Sequence, residues 1–350
     1  MRLLAGTDKG LIIYQWDGHT WSVQAIHFLG MPIGAVYSDP ITGHCWVAIN
    51  HKHWGAKLHR SSDGGRHWDE VAAPVFPPHE GQTVKSIWTI RTGPGNRMYL
   101  GVEPAALFVS EDQGQSFRLL PALSGHASRD KWMGGGKGSK DPFLHTILID
   151  PDNTAHLTVG ISCAGVFQSW DEGETWQPTN HGLVANYLPN PRADVGHDPH
   201  VLRISCQNPS VIWQQNHCGI FRSFDKGLTW IDVTDSNKNA VYGFAMVIDE
   251  SDDQRAWVVP AQSDFLRIPH HNALTVYTTT NGGKDWHPLT SGLPQLDSFD
   301  LVLRDAMDKQ GPHLVFGTNN GNLYHSVDEG NHWQTVTQNL STIRVVSLQA

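Results

Sequence analysis

The chain has 350 residues, 39% of them hydrophobic and 17% charged, and a formal net charge of −9. With only 25 basic residues and no basic run it lacks the stripe that neutralises phosphate, so a nucleic-acid partner is not expected. No stretch approaches a membrane span, residues 1–4 lead straight into an expected strand rather than a secretory leader, and four cysteines at no small-domain spacing fit a reducing compartment. Cytoplasmic residence without membrane contact is the expectation.

In chain order, residues 3–7, 11–14 and 21–23 read as the second, third and fourth strands of a unit whose first strand is missing. The pattern Ser/Thr-x-Asp/Asn-x-Gly-x-x-Trp/Phe then recurs six times, at residues 61–68, 110–117, 169–176, 223–230, 279–286 and 326–333. Its closing aromatics stand 49, 59, 54, 56 and 47 residues apart. Around one copy, residues 201–205, 211–214, 220–223 and 230–233 form four antiparallel runs. The same order starts again at Ile33, Lys85, His145, Val201, Gly243 and Asp300. Residues 343–347 supply the strand absent from the first unit. A period of this size with four strands per unit predicts an all-β chain, a seven-bladed β-propeller of four-stranded antiparallel blades. It is expected to form a single domain over residues 1–350, closed by the C-terminal strand joining the N-terminal blade.

Each copy of the pattern reads as a turn. Ser223 and Asp225 can bond local backbone N–H groups, Gly227 supplies a positive φ, and Trp230 opens the next strand as an apolar anchor. The copy at Thr279 carries Asn281 in place of Asp, which backbone bonding tolerates and a general acid does not. These turns are therefore read as structural. Low-complexity sequence is limited to the glycines at 134–136.

A propeller puts the loops between second and third strands, and those between blades, on one face around the central channel. That face is expected to gather His51, His53, Trp54, Glu103, Ser162, Cys163, Asn216, His217, Cys218 and Asp264. The two longest blade-to-blade segments add Arg129, Asp130, Lys131, Trp132 and His145, and then Asp194, His197, Asp198 and His200. In Gly196-His197-Asp198-Pro199-His200 two imidazoles lie three apart with a proline between them. His145, His197, His200 and His217 are the expected ligands of a divalent transition metal, with Asp198 or Asp194 able to orient a ring. Cys218 and Cys163 are possible thiolates, though Cys218 before Gly219 also suits packing. No nucleotide cofactor is expected.

Glu103, Asp198 and Asp130 are the expected catalytic carboxylates, alongside Asp194, Asp264 and Asp305 on the same face. Trp54 and Trp132 can stack on a sugar ring or plug the channel. Lys85, Arg129 and Lys131 can hold an anion or simply face water. His51, His53, Asn216 and Asp264 complete the expected contacts to a small-molecule substrate.

The repeats resemble the Asp-box (BNR) repeat of sialidases, sortilin-type receptors, xyloglucan-cleaving glycosidases and a photosystem II assembly factor. The resemblance spans essentially the whole chain. In layout the chain is most similar to bacterial BNR-repeat, glycosyl-hydrolase-like proteins, through residues 51–55, 196–200 and 213–219. The resemblance implies a propeller, and it spans enzymes, receptors and assembly factors alike. Arg267-Ile268-Pro269 lies far later than the Arg-Ile-Pro motif of sialidases, and Tyr242 has no evident partner Glu, so sialidase chemistry is not carried over. The expectation is an enzyme using metal-assisted hydrolysis or lyase chemistry on a small polar, carbohydrate or carboxylated substrate. The alternatives are a non-catalytic scaffold with a protein partner and a metal-free glycoside hydrolase.

Overall fold

Several inner strands of this chain are apolar on both sides, and the packing explains why. In the strand Ala106–Ser110, Phe108 packs with Trp46, Leu58 and Leu100, while its neighbours Leu107 and Val109 pack with Leu144, Leu157 and Phe167. Side chains alternate across a strand, so a sheet lying between two others buries both faces and reads as a continuous apolar run. Val315 likewise packs with Leu3 and Ile12, while Leu314 and Phe316 pack with Val259 and Trp257.

The structure, a computed structural model, describes residues 1–134, 140–237 and 239–349, so two of the three glycines at 134–136 lie outside the described residues. It contains seven four-stranded antiparallel sheets, the blades of a seven-bladed β-propeller. In the first blade the C-terminal strand Ile343–Gln349 pairs antiparallel with Arg2–Thr7, which pairs with Gly10–Trp16 and then Trp21–His27. Two compact units make up the chain. One comprises residues 1–30 and 200–350; the other comprises residues 31–199.

All six turns bond as their sequence implies. The N–H groups of Gly65, Gly114, Gly173, Gly227, Gly283 and Gly330 donate to the hydroxyl four residues earlier at 2.7–2.9 Å. In the Ser223 turn the hydroxyl donates to Asp225 at 2.7 Å, and that carboxylate accepts the Thr229 N–H at 2.9 Å. Gly227 sits at φ 87°, where a side chain is strained. The hydroxyls of Ser116 and Ser110 hold the Asp112 carboxyl down at about 2, so it stays an anion bound into its turn.

One boundary differs from expectation. The innermost strand of the last blade is Met307–Gln310, not a run from Asp300. Asp300 instead accepts from the Asn322 side-chain amide at 3.1 Å, and the Leu301 N–H donates to Asn319. Local side-chain bonds there replace the ladder. All four cysteines are free thiols, and no helix among the described residues is long and apolar enough to cross a membrane.

Candidate functional site

The innermost strands share a local irregularity. In four of them the register slips by one residue, at Gly34, Trp88, His145 and Phe244. A bulge re-aims the side chain it carries. His200, second residue of the strand Pro199–Ile204, occupies the place that His145 holds in Leu144–Ile149.

His200 is buried, and its Nδ1 donates to the Gly243 carbonyl at 2.5 Å. A Cβ at Gly243 would lie 2.9 Å from the Val259 carbonyl oxygen, so the strand packing at this position favours glycine. With the proton on Nδ1, the lone pair of the neutral ring is on Nε2. The His217 ring lies 5.6 Å away, edge-on. Asp198, His200 and His217 each offer a ligand atom, and these atoms lie within 4.8 Å of one another. Asp198 is itself held: its Oδ1 accepts the Ser162 hydroxyl at 2.8 Å and the Cys163 N–H at 3.1 Å. Two imidazoles and a carboxylate, with one ring anchored to a carbonyl and the carboxylate anchored by two donors, form a donor set suited to a divalent transition metal.

A second shell of side chains surrounds the two histidines. Tyr242 sets its ring edge-on to both, at 5.5 Å from His200 and 5.3 Å from His217. Its hydroxyl donates to Asp264 Oδ1 at 3.3 Å. Burial pushes the Asp264 carboxyl up, but its bond and ion pair with Arg267, together with His217 and Tyr242, bring it below the usual carboxylate range. Phe244 stacks on His200 at 4.4 Å and carries the guanidinium groups of Arg267 and Arg304 at 5.3 and 5.7 Å from its centroid. Arg304 also donates from Nε to the His200 carbonyl at 2.8 Å. Sequence reasoning gave none of Phe244, Arg267 or Arg304 a role in the site. Arg267 was visible only in an unrelated motif context, and nothing local marks Arg304.

The other expected residues fall into three groups. His145 has both nitrogens engaged: Nε2 donates to the Pro199 carbonyl at 2.8 Å and Nδ1 lies 2.9 Å from the Thr146 hydroxyl. His197 is fully buried and donates from Nε2 to the Ala193 carbonyl at 2.7 Å, and burial pushes its basicity down. Neither belongs to the three-residue set. Trp132 is buried against Phe167 at 4.9 Å with its N–H on Ser128, a core side chain rather than a platform for a sugar. Asn216 is also buried, its amide bonded to Gln214 and to the Cys218 N–H, so it shapes the loop between its two strands. Both side chains are spent on contacts within the fold.

The second group is a charged cluster within the unit of residues 31–199. Glu103 accepts the Trp88 indole N–H at 3.2 Å, Trp88 stacks on Phe143 at 3.9 Å, and Lys85 bonds Asp141 at 2.5 Å. That bond pushes the Lys85 ammonium up in pKa. Arg129 lies 4.8 Å over the Trp132 ring, and Asp130 and Lys131 are exposed beside it. The third group is exposed. His51 accepts the backbone N–H groups of His53 and Trp54, and Trp54 is 67% exposed with its ring 6.1 Å from that of His51.

No protein-family model and no curated protein matches the sequence. Solved structures do resemble it. An ancestral GH74 enzyme is similar with a TM-score of 0.59 and 16% identity, over 87% of this chain and 38% of that one. YCF48 from Cyanidioschyzon merolae gives a TM-score of 0.58 and 16% identity, over 92% of this chain and 89% of that one. YCF48 bound to D1 peptide gives 0.56 and 17%, over 87% and 81%. These likenesses establish the fold. This chain spans 38% of the length of the GH74 enzyme, so that protein's activity does not transfer with the propeller.

Proposed function

We propose that this chain is a metal-dependent enzyme whose ion is held by Asp198, His200 and His217. In this reading it acts on a small polar substrate by hydrolysis or lyase chemistry. The observation that carries the reading is the convergence of these three ligand atoms within 4.8 Å. The bond from His200 Nδ1 to a carbonyl supports it further, because a metal-ligating imidazole is usually held in this way. A bound divalent ion would supply a Lewis acid and a water acidic enough to ionise near neutral pH. The chain's own residues would supply the rest. Arg267 and Arg304 favour a substrate carrying a carboxylate or another anionic group, and the hydrogen-bonded Tyr242–Asp264 pair is the nearest candidate to move a proton. Asp198, expected as a proton-moving acid, is better read as a ligand. The turn bonding supports reading the chain as an Asp-box-repeat propeller.

The test is elemental analysis of protein purified without a polyhistidine tag. One equivalent of a transition metal is expected, and it should be lost in His200→Ala and His217→Ala. Folded protein that takes up no transition metal on titration would overturn the reading. One observation favours a second reading, that of a non-catalytic scaffold for a protein partner. The chain matches 89% of the length of YCF48 but only 38% of the ancestral GH74 enzyme. A metal-free result would shift support to that reading.

A further inference from the structure

The first and last blades meet through a chain of ring hydrogen bonds. Trp21, opening the outermost strand of the first blade, donates its indole N–H to His325 Nδ1 at 3.0 Å. Indole is a donor only, so the neutral His325 carries its proton on Nε2. That nitrogen lies 3.0 Å from His313 Nδ1, which must then accept. The two imidazoles are coplanar to within 3°, and Trp16 meets His325 edge-on at 4.9 Å. Every position in this relay is fixed by its neighbour. A proton added to His325 Nδ1 would face the Trp21 N–H, and one added to His313 Nδ1 would face the His325 N–H. The relay therefore exists only while both rings are neutral.

We propose that this Trp21–His325–His313 relay is an acid-sensitive latch, which releases the outer strand Trp21–His27 of the first blade when either histidine is protonated. Burial, reinforced by His313, pushes His325 down to about 4; burial and the positive chain terminus at Met1 lower His313. A base depressed in the folded state contributes stability that is complete above its unfolded value near 6.5 and is lost as pH falls toward 4. The inner side of the same seam responds with the opposite sign. There Asp308 accepts the Leu348 N–H at 2.7 Å, and burial raises its carboxyl to about 6. A raised acid takes up a proton on folding, so falling pH through 6 relieves the cost of burying this carboxylate, even though the Leu348 bond itself favours the anion. Acid is thus expected to loosen the outer half of the seam and keep the inner strand paired.

Hydrogen exchange of the whole chain at pH 7.5 and pH 5, corrected for intrinsic rates, tests this. The His325 shift corresponds to a loss of protection of roughly 30-fold in Trp21–His27. Ile343–Gln349 and the distant strand Met98–Glu103 should keep theirs. A change below about 3-fold in Trp21–His27, or an equal loss in Met98–Glu103, overturns the proposal. His325→Phe keeps an aromatic ring against Trp16 and cannot be protonated, so its outer strand should show no acid response. A persistent response also overturns the proposal. If that variant does not fold, the wild-type profile alone still decides the matter.

Discussion

His145 and His200 hold the same place in consecutive blades, each as second residue of an innermost strand, yet only His200 belongs to the three-residue donor set. His145 spends one nitrogen on the Pro199 carbonyl and the other beside the Thr146 hydroxyl. His200 spends Nδ1 on the Gly243 carbonyl and has Val201, which offers no hydroxyl, where His145 has Thr146. The residue that follows each imidazole thus differs in whether it offers a hydroxyl. The difference lies in the company of the imidazole rather than in the imidazole.

The contrast is sharpest in metal affinity. His200→Ala should weaken binding by at least about 100-fold, whereas His145→Ala should bind metal as before, read by titration into metal-free protein. If both variants lose metal equally, the distinction fails. Ser162→Ala should weaken binding by about 10-fold, because it removes one of the two donors that orient Asp198. Thr146→Val is the mildest change. Loss of the hydroxyl beside His145 should cost about 1 kcal/mol in denaturant unfolding with no effect on metal uptake. A drop in metal affinity in this variant would mean that His145 takes part after all.

Much of the fold was legible because it is repeated. The Ser223 turn, the four-stranded units and the strand borrowed from residues 343–347 all follow from periodicity and local bonding chemistry, and all are present, the last as Ile343–Gln349. The exception at Asp300 arose where side chains, not the ladder, satisfy the backbone. Of the candidate site, His200, His217 and Asp198 were legible as residue types that the fold could gather. That His145 and His197 are bonded elsewhere was not legible, because the pairing depends on which carbonyl the fold brings to each ring: Pro199 for His145 and, within its own loop, Ala193 for His197. The burial of Trp132 and Asn216 was not legible for a related reason: residue type does not reveal burial. Arg304 escaped notice because its position beside Phe244 is created by packing across 60 residues of sequence, with no local signature.

The pairing of Arg2–Thr7 with Ile343–Gln349 also bears on how the chain is made. A ribosome delivers the first hairpin early, and its apolar Leu3-Leu4-Ala5 edge must then wait without a partner while every other blade is synthesised. Newly made chains carry this exposed edge until residues 343–349 emerge, a window in which a holding chaperone has something to grip and a neighbouring nascent chain has something to join.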